Sequence, residues 1–288
     1  MGKIRARRML KTQVLCSLLT AGIFTMMMGT SQAWAKDKLV TGGTRTSTTG
    51  GIVASAGETI NDANQDYNTI TISSGSASGI LATGAGAVIN LSTMAPAITA
   101  TTSASSVDGI HAEGGASITV FGGSIDINVT NGATGVYATG TGTTVTLSDL
   151  ALDKIASSNG TNYGLYATKG ATVIYKNSTT NKGIINVKTT ANGTAYGVYA
   201  QRTGSKIELD NVASVTVNSN TNTASGIYVY NGSAVTGTDG TSPATIDRLD
   251  VTGGQEVAGL DNYGTLNVKM NGPLNATLTG NGSGVIGI

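Results

Sequence analysis

The chain has 288 residues, 39% of them hydrophobic and only 11% charged, with 41 Gly, 3 Pro and a formal net charge of +1. So little charge beside so much Gly, Ser, Thr and Asn raises the question of disorder. Disordered chains, however, pair low hydrophobicity with high net charge and few β-branched residues. Here Val, Ile and Thr are common and alternate along the chain, so the composition excludes disorder and points to a folded all-β protein with a plain polar surface.

In chain order, residues 1–35 have the build of a secretory signal peptide. Lys3, Arg5, Arg7, Arg8 and Lys11 make a basic start, Val14 to Met28 a mostly apolar core, and Ala33-Trp34-Ala35 a small-x-small cleavage site before Lys36. The apolar stretch is shorter than the roughly 20 residues of a membrane-spanning helix. Cys16 lacks the small residues that precede a lipidated cysteine and belongs to the apolar core. Cleavage would remove five basic residues, the only Cys and the only Trp, leaving 12 Lys/Arg against 16 Asp/Glu, a net charge of −4. That balance, with no basic cluster, argues against nucleic acid as a partner. Secreted proteins of this size often carry disulfides; a chain without cysteine suits passage, unfolded, across a second membrane.

Residues 36–50 are polar apart from Leu39-Val40 and read as a lead-in strand or a short cap. From there a tetrapeptide recurs. It begins at Gly51 (GIVA), Gly79 (GILA), Gly109 (GIHA), Gly135 (GVYA), Gly164 (GLYA), Gly197 (GVYA) and Gly226 (GIYV), with weaker copies at Gly259 (GLDN) and Gly284 (GVIG). The mean interval is about 29 residues, and a period between 20 and 50 is the signature of a solenoid. Successive side chains of a strand face opposite ways. The second position is always apolar and the fourth is Ala in six of nine copies, so both face the interior. The third, which varies most, faces out. The leading glycine is expected to supply a turn geometry that a Cβ resists.

Each repeat holds two further alternating segments. Ile89/Leu91, Ser117 to Val120, Val145/Leu147, Val173/Tyr175 and Lys206 to Leu209 mark the second; Ile70/Ile72, Ile125 to Val129, Ile185/Val187 and Val215 to Val217 mark the third. Three strands per coil of about 29 residues, stacked coil on coil, predict an all-β fold: a parallel β-helix over 51–288. The rule for parallel crossovers favours the right-handed form. Eight to nine coils at about 4.8 Å each would make a rod about 40 Å long. Polar connectors such as Asn159 to Asn162, Ala191 to Thr194 and Asn218 to Thr223 suit left-handed bends; their Asn side chains either stack as ladders or simply line surface loops. The last residues, Gly287-Ile288, fall inside a copy of the first strand. Because solenoids need end caps, the expectation is a helix truncated from a longer design.

Groups for chemistry are sparse. His111, the only histidine, faces out with Glu113 on the same face and Asp108 just before it. A carboxylate–imidazole pair serves acid–base work, but no nucleophile or metal set joins it in the sequence. Tandem calcium-binding nonapeptides are missing, and the Asn-x-Thr triplets match a glycosylation pattern that a bacterial-looking signal makes irrelevant. No catalytic residue, cofactor or metal site is expected. What does recur is tyrosine: Tyr137, Tyr166, Tyr199 and Tyr228 occupy the outward position of four successive coils. They should stack as a ladder, serving either as packing between rungs or as a stripe for carbohydrate or protein contact.

With its signal, its cysteine-free mature part and its GVYA/GLYA coils, the chain resembles the passenger region of bacterial autotransporters (type V secretion) over about 51–288. The resemblance is one of pattern. It implies a right-handed, pectin-lyase-like β-helix, export through the periplasm to the cell surface, and often an adhesive role toward a host or neighbouring-cell protein or glycan. It also implies an outer-membrane β-barrel translocator, of which this sequence holds no counterpart; nor does it hold the Asn-Pro-Asn motif of two-partner secretion relatives. A non-enzymatic binding passenger is therefore the leading expectation. A β-helix polysaccharide lyase or hydrolase, which would need Asp clustered with Arg, Lys or His, and an inactive fragment are the alternatives; the three mature arginines, Arg45, Arg202 and Arg248, lie far apart in sequence.

Overall fold

The computed structural model describes residues 44–47, 50–61, 69–73, 75–92, 95–100, 104–280 and 284–286. The signal peptide expected at 1–35 and most of the 36–50 lead-in lie outside the described residues. What is described is all β, about 70% strand with no helix, wound as a β-solenoid of about seven turns with a spacing of about 29 residues.

Three columns of parallel strands build each coil. The first carries the Gly-φ-x-Ala segments, from Gly50–Ala54 and Gly75–Thr83 through Ala195–Gln201 and Thr223–Tyr230 to Glu256–Asn262. The second runs from Thr59–Asn61 through Ser117–Phe121, Thr144–Ser148 and Thr172–Lys176 to Thr265–Leu266. The third runs from Thr44–Ser47, inside the lead-in, through Thr69–Ile72, Gly183–Asn192 and Val212–Ser219 to Leu274–Leu278. The third and first columns meet at a corner that two strands, Ser124–Thr139 and Ala151–Thr168, turn without interruption, so both belong to one hydrogen-bonded sheet.

Like stacks on like. Ile52, Ile80, Ile110, Val136, Leu165, Val198 and Ile227 pair in register from coil to coil and are all 0% exposed. The second column repeats this with Ile89, Ile118, Val145, Val173 and Ile207, and the third with Ile70, Ile98 and Ile125 and then Ile185, Val215 and Leu249. Each such side chain stabilises by about 1.5–3 kcal/mol relative to exposure. One position breaks the aliphatic rule: Tyr175 stands between Leu147 and Leu209, fully buried. Its hydroxyl donates to Leu150 O at 2.5 Å and Ile184 O at 3.2 Å, and burial pushes the phenol well above its ordinary range.

Three expectations need correction. First, the repeated glycines are not turn residues. Gly109, Gly164, Gly197 and their counterparts are not among the residues with positive φ; they are required by close approach. A Cβ on Gly197 would sit 2.5 Å from Val215 Cγ1 and 2.6 Å from Gly226 O, that is, inside the third column's core and against the next coil's backbone. The left-handed bends lie elsewhere, at Gly114, Gly140 and Gly170 between the first and second columns. Second, Gly284 is not in register with the other copies: it pairs with Glu256, and Val285 with Val257, three residues off the Gly259 position. Counting copies therefore overstates the turns. Third, of the two readings of the connector asparagines, the ladder is not seen: among the described residues no asparagine side chain bonds another asparagine side chain. Asn131, Asn159 and Asn192 do align, but the inter-coil bonds of Asn220, Asn211 and Asn177 run from Nδ2 to a neighbouring coil's backbone carbonyl. Asn162 goes further inward. Fully buried, it accepts from Ala133 N and Ser157 Oγ, both at 2.8 Å, and donates to Lys188 O and Thr189 Oγ1, so it joins three coils with every polar atom satisfied.

Candidate functional site

The space-demanding glycine has a second consequence. In Ala195–Gln201 the burial order puts Tyr196 outward, Gly197 and Val198 both inward, and Tyr199 outward. The strand buckles at the glycine, and residues three apart share a face that strict alternation would assign to opposite faces. The first column thus carries two outward rows on one side. One is Asp108, Thr134, Tyr163 and Tyr196, and its register continues to Ser225, which is buried; the other is His111, Tyr137, Tyr166, Tyr199, Tyr228 and Asp261.

The two rows interlock into one aromatic face. Tyr137 to Tyr166, Tyr166 to Tyr199 and Tyr199 to Tyr228 are each 5.0 Å between ring centroids. Tyr163 stacks on Tyr166 at 4.6 Å and on Tyr196 at 5.4 Å. His111 meets Tyr137 edge to face at 4.7 Å, while Tyr230 and Tyr263 extend the cluster beyond Tyr228. Eight of the chain's ten tyrosines stand here. All four sequence-predicted site residues, Tyr137, Tyr166, Tyr199 and Tyr228, fall in a single row, and each is half-buried by its neighbours. Tyr163, Tyr196, Tyr230 and Tyr263 were missed. Their signal was present as Tyr-Gly-φ-Tyr at 163–166 and 196–199, but a period-2 reading sends the first tyrosine to the wrong side. The most exposed rings are two of the missed ones, Tyr230 at 41% and Tyr263 at 63%.

Packing sets the chemistry of these phenols. Burial, followed by the neighbouring tyrosines, raises Tyr163 and Tyr199 well above the ordinary phenol range; burial, Asp261 and neighbouring rings push Tyr228 up to about 12. These three phenols are therefore neutral at physiological pH and offer hydrogen bonding as well as apolar surface. Tyr166 donates from its hydroxyl to Gln201 Oε1 at 3.0 Å. Carboxylates border both ends. At the far end Asp261 is raised by burial and by Glu256. At the near end His111 Nδ1 lies 2.9 Å from Asp108 Oδ2 and Nε2 lies 3.7 Å from Glu113 Oε2, so the sequence placed these three groups together correctly. Among the described residues no group of three or more His, Cys, Asp or Glu is arranged to hold a metal ion.

Beside Asp108 the face is notched. A pocket of about 300 Å³ lies between Asp108, Thr134, Tyr137, Tyr163 and Tyr166, with Ser106, Gly132 and Thr161 on its other flank. No protein-family profile, no curated protein and no solved structure matches this chain.

Proposed function

We propose that this chain is an exported, autotransporter-type passenger with a right-handed, pectin-lyase-like coil, displayed at the cell surface or secreted, and that it acts by binding rather than by turnover. An outer-membrane β-barrel translocator would be its partner in export, and a protein or glycan on a host or neighbouring cell its partner in adhesion. The observation that carries the binding reading is the continuous run of rings from His111 to Tyr263. Tyrosine supplies large contact area at little entropic cost, and contacts repeated at every coil add through effective concentration.

The test is adhesion of beads displaying the intact chain, compared with Tyr137, Tyr166, Tyr199 and Tyr228 changed together to Ser. Loss of adhesion with the β signal in circular dichroism unchanged is the expected result; unchanged adhesion would make the face purely structural. The lyase or hydrolase reading draws on His111 between Asp108 and Glu113. It would displace the binding reading if purified protein depolymerised a polysaccharide and His111→Ala abolished that activity.

A further inference from the structure

The notch beside Asp108 exists because one coil departs from its neighbours. In the row Asp108, Thr134, Tyr163, Tyr196, Thr134 is short where the next two coils carry a phenol. On the same coil Gly132 has no side chain; a Cβ there would meet nothing closer than Thr161 O at 3.5 Å and Ser106 Oγ at 3.6 Å. Asp108 and Tyr163 are thus held two coil steps apart, about 9–10 Å at the spacing of adjacent strands. That is room for one flat group between a carboxylate and the tyrosine rings.

The polar lining of this pocket is one-sided. Among its lining residues the only charged side chain is Asp108, and Glu113 stands nearby on the far side of His111. The hydroxyls of Ser106, Thr134 and Thr161 can all accept hydrogen bonds. His111 holds Asp108 through Oδ2, which fixes the carboxylate and does not use Oδ1. Ser106 at the rim has a φ of 54°, a conformation that costs energy in a residue with a Cβ. Aromatic rings attract cations across their faces, and a fixed carboxylate pairs best with a planar, multi-donor cation.

We propose that this pocket is a guanidinium site, which takes an arginine side chain of a partner polypeptide against Tyr137, Tyr163 and Tyr166 with its N–H groups on Asp108 and the surrounding hydroxyls. The proposal rests on reading the aromatic face as a binding surface and names one ligand group for its near end.

The experiment is a titration of N-acetyl-arginine amide into the purified intact chain, followed by calorimetry and by the ring signals of the tyrosines. N-acetyl-citrulline amide, the neutral analogue of the same shape, and a methyl hexoside serve as comparators. Arginine amide should bind at least tenfold more tightly than citrulline amide, and Asp108→Asn should remove that preference. Thr134→Tyr, which continues the phenol row into the notch, should abolish binding while leaving the β signal intact. Equal binding of citrulline amide, tighter binding of the hexoside, or unchanged binding by Thr134→Tyr would each overturn the proposal. Thr134→Tyr keeps all eight tyrosines of the face. Failure of the titration while adhesion is still lost to the quadruple tyrosine change therefore overturns the pocket alone, whereas adhesion lost to neither Thr134→Tyr nor the quadruple change overturns the face and the pocket's role on it.

Discussion

The first and second strand columns share one solenoid and one interior, yet present different exteriors. In the second column alternation is strict: Thr144–Ser148 and Thr172–Lys176 bury every other residue. Its outward rows, of which Thr119, Thr146, Ile174 and Glu208 form the central one, stand two residues apart and are mostly polar. In the first column a glycine packed against the third column's side chains turns two consecutive residues inward, and tyrosines on either side of that pair emerge on one face. A packing constraint in the core, not a surface feature, doubles the density of outward rings. The aromatic face follows from the corner geometry.

The inside–outside contrast is largest at Leu165 and Tyr166, adjacent in sequence and opposite in environment. Leu165→Asp buries an unpaired carboxylate and should cost more than about 3 kcal/mol, enough to abolish cooperative unfolding in a denaturant titration. Tyr166→Ser should cost far less. Similar shifts for the two would mean that the register is wrong. Next in size is the buckle itself. Gly197→Ala forces a methyl group against Val215 and the Gly226 carbonyl and should destabilise by about 1–3 kcal/mol, whereas Thr146→Ala, outward in the unbuckled column, should stay within about 0.5 kcal/mol.

The smallest expected effect is on pH dependence. A raised phenol pKa means that the folded chain holds its protons more tightly than the unfolded chain. Above about pH 10, the ordinary tyrosine value, the unfolded state loses protons first and is favoured. The tyrosines' contribution to stability should be flat below that point and fall as pH rises toward 12, through the value to which Tyr228 is pushed. Denaturation midpoints measured from pH 9 to 12 should show this decline, and it should flatten in the quadruple Tyr→Ser variant. An identical slope in parent and variant would place the titrating groups outside the row of Tyr137, Tyr166, Tyr199 and Tyr228.

Much of the architecture was legible in one dimension because it is written there as repetition. A tetrapeptide recurring at about 29 residues can satisfy its buried positions only by stacking on itself, so Ile110, Val136, Leu165 and Val198 had to form one column. The alternating segments named three strands per coil for the same reason, and the four tyrosines of one row followed from their shared place in the repeat. Three things lay beyond that reading. The glycine's role depends on Val215 and the Gly226 carbonyl, which approach it from the third column and from the next coil. The company of Tyr163 and Tyr196 depends on the buckle that this contact imposes. The notch depends on which side chains of three different coils happen to be short. Periodicity in sequence reports which residues are equivalent; only the packed corner decides which way equivalent residues point, because a strand's alternation holds only until a close backbone contact interrupts it.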